Sequence, residues 1–326
     1  MESQAFQRNY FLNNAMERYT NSLQEFMFWR RGSFLPPHKK DMYIKKFLQE
    51  EQEKFYTEGI FTLPSVQFAI TTRCTLRCQD CSVMIPRFAG AEVPHIEMTF
   101  PQFRECLDTL LAGVEHIRSV LILGGEPLLH RELPEMVAYA ARQEKIGLVD
   151  IVTNCTLLPS QALLDAVAQH RHKTFFGLSN YTKNPDVAAL VKREQIIALL
   201  KANGIKHSLD TGTGKWFRYS LEKCNVSPNE IKSIFAGCQW HHCLYVLGGE
   251  LAVCPRSLVG HRLGAFVLDD ADIISLLRDD SGGSDDNETR DIRRKLLAFF
   301  EKETLDACRY CRRHAELVEP ALQLKS

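Results

Sequence analysis

The sequence predicts an α/β protein whose parallel strands are connected by covering helices. From residue 61 onward, short strand-like apolar segments alternate with helical patterns separated by short loops, which is typical of a parallel sheet. Residues 1–60 carry aromatic and charged side chains at helical spacing, and closely spaced cysteines occur after residue 225. We therefore predict a helical N-terminal extension over 1–60, a strand-helix core over 61–225 and a small C-terminal region over 226–326.

The composition argues against several classes of partner. Lysine plus arginine number 40 and aspartate plus glutamate number 40, so no net charge attracts nucleic acid or an anionic membrane. The first ten residues lack the basic-then-apolar layout of a signal peptide, and no run of about 18 apolar residues could cross a bilayer. We expect a cytoplasmic protein that binds neither nucleic acid nor membranes.

The core elements follow from their hydrophobic patterns. Val66, Phe68 and Ile70 alternate on a first strand, and Thr99 can cap the helix that follows. Further strands are predicted at 120–123, 148–152, 175–178 and 205–209, with a candidate sixth near 216–221. Further helices are predicted around 136–140, at 163–167 and over 187–202, where Gly204 ends the helix.

Three cysteines spaced Cys74-x-x-x-Cys78-x-x-Cys81 directly follow the first strand. Three thiolates can ligate three corners of a four-iron cluster and leave the fourth iron open to a substrate. The alternatives are a group of buried thiols and a zinc site, but zinc usually takes four protein ligands and suits this crowded triad poorly. The chain has eleven cysteines, and the odd number argues against a closed disulfide framework. Cys106 falls in an apolar helical stripe and is predicted to pack in the core.

Gly124-Gly125-Glu126-Pro127 follows the second predicted strand, where glycines allow a backbone to approach a ligand closely. Together with the cysteine triad, this motif resembles the radical SAM superfamily. The resemblance implies a partial (βα)6 barrel with its site at the carboxyl ends of the strands. It also implies that the open iron holds S-adenosylmethionine (SAM), which one electron cleaves to methionine and a 5'-deoxyadenosyl radical.

The resemblance further implies which residues contact SAM. The glycine motif is expected to contact the methionine amino group, and polar residues after the third and fourth strands the carboxylate and ribose: Thr153, Asn154, Ser179 and Asn180. The alternative role for these four residues is in turns or caps. Asp80 and Cys155 depart from the family pattern, which usually has an aromatic residue or histidine and a glycine there. Cys155 is either a hydrogen-atom donor or a small buried residue, and we favour the second.

The later cysteines form a second group. Cys238, Gly249, Cys254 and the pair Cys308-x-x-Cys311 resemble the auxiliary-cluster region called SPASM, or twitch in its single-cluster form. A hairpin at 244–253 is predicted to bring the first two thiols together, so we expect one auxiliary [4Fe-4S] cluster. Three alternatives stay open: Cys243 in place of Cys238, zinc in place of iron, and His241 or His242 as ligands. Residues 279–288 are expected to form a surface loop, with a helix from about Thr289.

We therefore expect a radical SAM oxidoreductase that abstracts hydrogen from a small polar substrate, such as a sugar, an aminocyclitol or a natural-product intermediate. An auxiliary cluster can accept the second electron of an oxidation. The alternatives are a SPASM-type peptide or protein maturase, a radical epimerase with Cys155 or Cys243 as donor, and a binding protein without catalysis. The family implies a flavodoxin- or ferredoxin-type electron donor. No catalytic residue is assigned, and the candidate substrate contacts are Tyr181, Lys183, His207 and Asp210.

Overall fold

A sheet of mostly parallel strands with covering helices organises the chain in the computed structural model. The structure describes residues 3–11, 37–89, 93–208, 214–238, 240, 243–277, 285–311 and 316–325.

The described part of the N-terminal region is helical. Helix α1 spans Gln4–Phe6 and continues as a π-helix over Gln7–Phe11, and α2 spans Pro37–Glu58. Tyr10 packs edge-on against Phe300 with ring centroids 5.1 Å apart, and Asn9 donates to the carbonyl of Phe300 at 3.1 Å. These contacts attach residues 3–11 to a helix near the other end of the sequence.

The core is a succession of parallel strands and helices, as predicted. Its strands are β1 Thr62–Leu63, β2 Val66–Thr71, β3 His116–Gly124, β4 Ile146–Thr153, β5 Thr174–Leu178 and β6 Lys206–His207. Its helices are α3 Phe100–Gly113, α4 Leu133–Arg142, α5 Gln161–Gln169 and α6 Arg193–Ala202. Strands β2 to β6 lie side by side in chain order and parallel, so their carboxyl ends meet at one edge of the sheet. Thr99 caps α3 through a capping box with Gln102, as its hydroxyl predicted.

In the described part of the chain after residue 213, three strands extend the same sheet and two pair with each other in a separate one. Its strands are β7 Trp216–Phe217, β8 Leu244–Leu247, β9 Glu250–Val253, β10 Ile273–Ser275 and β11 Leu317–Val318. Its helices are α7 Pro228–Ala236, α8 Pro255–Arg262 and α9 Asp285–Glu301. Strands β8 and β9 form the predicted hairpin, and β8 pairs parallel with β2. The sheet order is therefore β10-β9-β8-β2-β3-β4-β5-β6.

The prediction of a sixth sheet strand near 216–221 was wrong. Strand β7 pairs antiparallel with β11 in a separate two-stranded sheet. The sixth parallel strand beside β2 to β6 is β8, which is buried along its whole length. A continuous apolar run is what a strand buried on both faces requires, whereas Phe217 in β7 is 38% exposed.

Three other boundaries differ from their predictions. Helix α9 begins at Asp285, not near Thr289, so residues 285–288 of the predicted surface loop are helical. The rest of that predicted loop, 279–284, lies outside the described residues. The predicted helix over 187–202 is divided into a 3-10 turn at Ala188–Leu190 and α6, because the Lys192 N–H between them donates to the carbonyl of Cys155 at 2.7 Å. The predicted fifth strand is shorter, and its end at 209 lies outside the described residues. Within the described residues, none of the helices is apolar and long enough to pass through a membrane.

Candidate functional site

One cavity lies at the carboxyl ends of β2 to β5. All three cysteines of the triad line it, together with both glycines of the Gly-Gly motif. Thr153 and Asn154 at the end of β4, and Ser179 after β5, contribute polar groups to its lining. The parallel topology thus brings together residues that lie about a hundred positions apart in the sequence.

The cysteine triad occupies the loop that follows β2. Cys78 is buried, while Cys74 and Cys81 are half-buried. Burial raises the pKa of Cys74 to about 11 and that of Cys78 to about 12, and it also raises the pKa of Cys81. The charges of Cys81 and Cys74 contribute to this increase in the pKa of Cys78.

The donor set of this loop fits a four-iron cluster. Among the described residues, no three His, Cys, Asp or Glu side chains are close enough together to hold a single metal ion. Three soft thiolates around a shared cavity are the ligands that an iron-sulfur cube takes at three of its corners, where they are spaced more widely than around one ion. The triad does not have the spacing of a mononuclear zinc site.

Gly124 and Gly125 have no side chains, so the end of β3 can lie directly against the backbone of Thr71 and Arg73, which leads into the cysteine loop. A Cβ on Gly124 would lie 2.2 Å from the carbonyl oxygen of Thr71, and one on Gly125 would lie 2.2 Å from that of Arg73. The N–H groups of Gly125 and Glu126 donate to these same two carbonyls at 2.8 Å. Because these N–H groups are already hydrogen-bonded within the protein, the motif presents carbonyl oxygens to a ligand. Carbonyl oxygens are acceptors, which suit an amino group.

The Glu126 side chain links the ends of β3 and β4 through hydrogen bonds. Its carboxylate is fully buried and accepts hydrogen bonds from the Thr153 hydroxyl and from the backbone N–H of Asn154, both at 2.8 Å. The same carboxylate accepts from the Leu128 N–H at 3.0 Å, and Pro127 begins a 3-10 turn at this point. Glu126 and Pro127 therefore lie behind the cavity wall, where they position the polar residues that line it.

A Glu126→Ala variant should lose about 2–4 kcal/mol of unfolding free energy, because it leaves several buried donors without an acceptor. Urea unfolding of the protein without added iron measures this loss. Exposed Glu144→Ala is the matched control and should change stability by less than about 0.5 kcal/mol. Equal losses of unfolding free energy in the two variants would contradict the role of Glu126 in linking β3 and β4.

Asn154 contacts the first cysteine. Its Nδ2 lies 3.5 Å from the Cys74 sulfur and donates to the Thr75 hydroxyl at 3.1 Å. Its Oδ1 accepts from the N–H and the hydroxyl of Thr156, which orients the amide. Asn154 therefore directs hydrogen-bond donors towards the triad.

Ser179 and Asn180 differ in their roles. Ser179 lines the cavity, and its N–H donates to the carbonyl of Thr153 at 3.0 Å. Asn180 accepts from the Thr182 hydroxyl at 2.7 Å and so forms a local turn, which is the alternative that the sequence left open.

Asp80 has a structural partner. Its Oδ1 lies 3.1 Å from Nε of Arg218, which also pairs with Glu316 at 2.6 Å. Asp80, which stands where the family usually has an aromatic residue or histidine, therefore forms an ion pair with Arg218 next to β7.

Cys155 packs in the core. It is fully buried, has a φ of 64° and directs its thiol to the carbonyl of Thr153 at 3.7 Å. Its side chain does not line the cavity, which supports the interpretation as a small buried residue.

If the protein cleaves SAM, as the resemblance in its sequence implies, a Cys155→Ala variant should keep the rate of cleavage within about twofold. The variant should lose about 1 kcal/mol of stability. The rate of 5'-deoxyadenosine formation and the urea midpoint check these outcomes. A large loss of turnover, with unchanged iron content and unchanged SAM cleavage, would instead identify Cys155 as a hydrogen-atom donor.

Aromatic side chains form another part of the cavity wall. Its aromatic residues are Tyr181, Trp216, Trp240 and Tyr245. The rings of Tyr181 and Trp216 meet edge-to-face, with centroids 5.7 Å apart. The sequence predicted only Tyr181, because the others reach the cavity through long-range pairing that no local pattern reveals. No lysine or arginine is among the described residues that line this cavity.

The remaining candidate substrate contacts do not line the cavity. His207 is buried in β6, and Lys183 is exposed. Asp210 lies outside the described residues, as do His241 and His242.

The second cysteine group also comes together. Burial raises the pKa of Cys254 strongly, and the charges of Cys238 and Cys308 raise it further. The pKa of Cys308 is raised to about 12, mainly by burial and to a smaller extent by the charges of Cys238 and Cys311. Cys243 is buried, and its carbonyl accepts from the Cys254 N–H at 2.8 Å. Cys238 and Cys308, the two thiols whose charges raise the pKa of Cys254, both belong to the predicted quartet.

A buried arginine connects the two cysteine groups. The Arg256 guanidinium donates to the carbonyl of Ser82, which follows Cys81, at 3.3 Å, and it lies 4.1 Å from the ring centroid of Tyr219. Burial raises the pKa of Cys311, whereas a hydrogen bond from Arg256 opposes this rise. Within the described chain, Arg256 has no carboxylate partner. The guanidinium also donates to the carbonyl of Ser220 at 2.7 Å, and its positive charge would stabilise a thiolate at Cys311.

The central part of the chain matches a known protein family. Residues 68–215 match the sequence profile described as "Radical SAM superfamily". GTP 3',8-cyclase of Chlorobaculum tepidum is 35% identical over 108 residues, covering 33% of this chain and 30% of the cyclase. GTP 3',8-cyclase of a Sulfurovum species is 26% identical over 180 residues, covering 54% of this chain and 52% of the cyclase.

Solved structures of SuiB from Streptococcus suis also match. One covers 74% of this chain and 71% of SuiB, with 14% identity and a TM-score of 0.36. A second, bound to S-adenosylmethionine, covers 54% of this chain and 38% of SuiB, with 18% identity and a TM-score of 0.34. The matches to the two cyclases span about a third and about half of those relatives' lengths.

Proposed function

We propose, since residues 68–215 match the profile of the radical SAM superfamily, that this chain is an enzyme that reductively cleaves SAM. The observation that carries the proposal is the single cavity lined by Cys74, Cys78, Cys81 and the Gly124-Gly125 motif. A [4Fe-4S] cluster bound by the three thiolates would supply the electron for cleavage to methionine and a 5'-deoxyadenosyl radical, which abstracts hydrogen from a substrate carbon.

The protein groups around the cavity have defined tasks in this proposal. The carbonyls of Gly124 and Gly125 would accept hydrogen bonds from the SAM amino group. Asn154 directs its amide Nδ2 at Cys74 and Thr75, where it orients the first ligand. Tyr181, Trp216 and Trp240 would exclude water from the reacting carbon.

The substrate that suits this cavity is a small polar molecule without phosphate groups. Nucleoside triphosphates are normally bound by lysine, arginine or a metal ion. None of the described residues that line the cavity has a basic side chain. Aromatic faces suit the CH groups of a ring, so a sugar, an aminocyclitol or a natural-product intermediate is the proposed substrate class. This proposal departs from the activity named for the GTP 3',8-cyclases.

We propose that the net reaction is a two-electron oxidation. Hydrogen abstraction removes one electron and one proton from the substrate, and loss of a second proton and electron would complete the oxidation. The quartet Cys238, Cys254, Cys308 and Cys311 would hold the auxiliary [4Fe-4S] cluster that takes up this second electron. A flavodoxin- or ferredoxin-type protein in the cytoplasm would supply the electron that cleaves SAM.

The test uses anaerobically iron-loaded protein with dithionite and SAM. The candidate substrates are a panel of sugars, aminocyclitols and peptides. We expect 5'-deoxyadenosine and methionine to form, and a sugar or aminocyclitol to accelerate their formation. GTP, run in parallel, should cause no acceleration. Iron-loaded protein that does not cleave SAM would refute the activity. Acceleration by GTP alone, or by a peptide alone, would refute the substrate class.

A further inference from the structure

Residues 317–325, called here the strap, lie against the triad loop. The strap begins with β11, which pairs with β7. The carbonyl of Pro320 then accepts from Nδ2 of Asn184 at 2.7 Å. Ala321 is fully buried in an apolar cluster with Leu76 and Cys78. The strap lies outside residues 68–215, the region that matches the superfamily.

The strap pairs with the cysteine loop like an additional short strand. Gln323 forms an antiparallel bridge with Cys78. The Gln79 N–H donates to the carbonyl of Leu322 at 2.7 Å, and the Leu324 N–H donates to the carbonyl of Arg77 at 2.8 Å. These two hydrogen bonds fix the backbone on both sides of the middle cysteine.

The Gln323 side chain adds a direct contact to the thiol. Its Nε2 lies 3.4 Å from the Cys78 sulfur and also donates to the carbonyl of Ala321. Its Oε1 accepts from the Arg77 N–H at 2.8 Å, which fixes the orientation of the amide. One side chain therefore ties the loop backbone and presents an N–H donor to a metal-ligand candidate.

We propose that Gln323 is a positioning residue that stabilises the Cys78 thiolate and raises the reduction potential of the cluster at the triad, an inference that rests on the proposed function. A reduced cluster carries one more negative charge than an oxidised one. An N–H donor to a ligand sulfur therefore favours the reduced form. The strap backbone holds the loop in the shape that accepts the cluster.

The decisive experiment compares Gln323→Glu and Gln323→Ala with the wild-type protein. Glutamate keeps an acceptor for the Arg77 N–H but replaces the donor to Cys78 with a negative charge. Gln49→Glu, at an exposed site on α2, controls for the added charge. The readout is the midpoint potential of the electron paramagnetic resonance signal that changes on addition of SAM, which identifies the triad cluster.

We expect Gln323→Glu to shift the reduction equilibrium towards the oxidised form by about tenfold, which is about 59 mV for one electron. Gln323→Ala should shift it in the same direction by a smaller factor, and Gln49→Glu should leave it unchanged. An unchanged midpoint in Gln323→Glu, with the SAM-responsive signal intact, would overturn the role of Gln323 and leave the proposed function standing. A wild-type protein without any SAM-responsive signal would instead refute the proposed function.

A second variant tests the strap backbone independently. Leu324→Pro removes the backbone N–H that donates to the carbonyl of Arg77. We expect the loaded variant to lose iron to a chelator at least about threefold faster than the wild type, with an unchanged circular dichroism spectrum. Equal rates of iron loss would show that the strap does not hold the cysteine loop.

Discussion

A Cys81→Ala variant is expected to lose reductive cleavage of SAM. Cys81 lines the cavity together with Cys74 and Cys78, and two remaining thiolates cannot hold three corners of the cluster. We expect the rate of 5'-deoxyadenosine formation to fall on the order of 10³-fold or more, which corresponds to at least about 4 kcal/mol of activation free energy. The iron content should fall by about four atoms per chain, the size of one cluster.

The matched control for this prediction is Cys106→Ala. Cys106 is fully buried in α3 and packs in the core away from the cavity. Its truncation should cost about 1 kcal/mol of stability and leave iron content and SAM cleavage close to wild type. Normal SAM cleavage by Cys81→Ala would contradict the assignment of the triad as cluster ligands.

A Cys254→Ala variant is expected to separate SAM cleavage from substrate oxidation. The charges of Cys238 and Cys308 raise the pKa of Cys254, and these three thiols belong to the proposed ligand quartet. Loss of Cys254 should therefore remove the auxiliary cluster and about four iron atoms per chain. SAM cleavage should continue at the triad, but formation of oxidised product should fall by at least about tenfold, because the second electron has no acceptor. Chromatography of 5'-deoxyadenosine and product from the same reaction measures both quantities.

The pair Cys238→Ala and Cys243→Ala assigns the first ligand of this quartet. We expect Cys238→Ala to behave as Cys254→Ala and Cys243→Ala to keep its full iron content. The reverse pattern would assign the ligand to Cys243. Metal analysis of the wild-type protein distinguishes iron from zinc in the same series.

Local patterns in the sequence predicted the elements that depend on neighbouring residues. The alternation in 66–70 predicted β2, and the Thr99 hydroxyl predicted the start of α3. The apolar runs around Gly248-Gly249 predicted the β8–β9 hairpin, whose turn uses positive φ at both glycines. In each case the information lies within about ten residues, where periodicity and capping act.

Elements that depend on distant partners were not predicted. Strand β7 pairs with β11, about a hundred residues later, and β8 pairs with β2, so neither neighbour could be inferred from a local pattern. The same holds in the site. The sequence predicted Glu126 as a cofactor contact, but the acceptor role of its carboxylate towards Thr153 and Asn154 appears only once β3 and β4 are adjacent. The contact of Gln323 with Cys78 likewise required the fold.

The parallel pairing of β8 with β2 has a practical consequence for dissecting the protein. Strand β2 lies between β3 and β8 and leads directly into the cysteine loop. A fragment that ends before residue 244 would expose the apolar edge of β2, where unpaired backbone groups recruit other chains. Such a fragment should aggregate, so the region that matches the superfamily is best studied in the whole polypeptide.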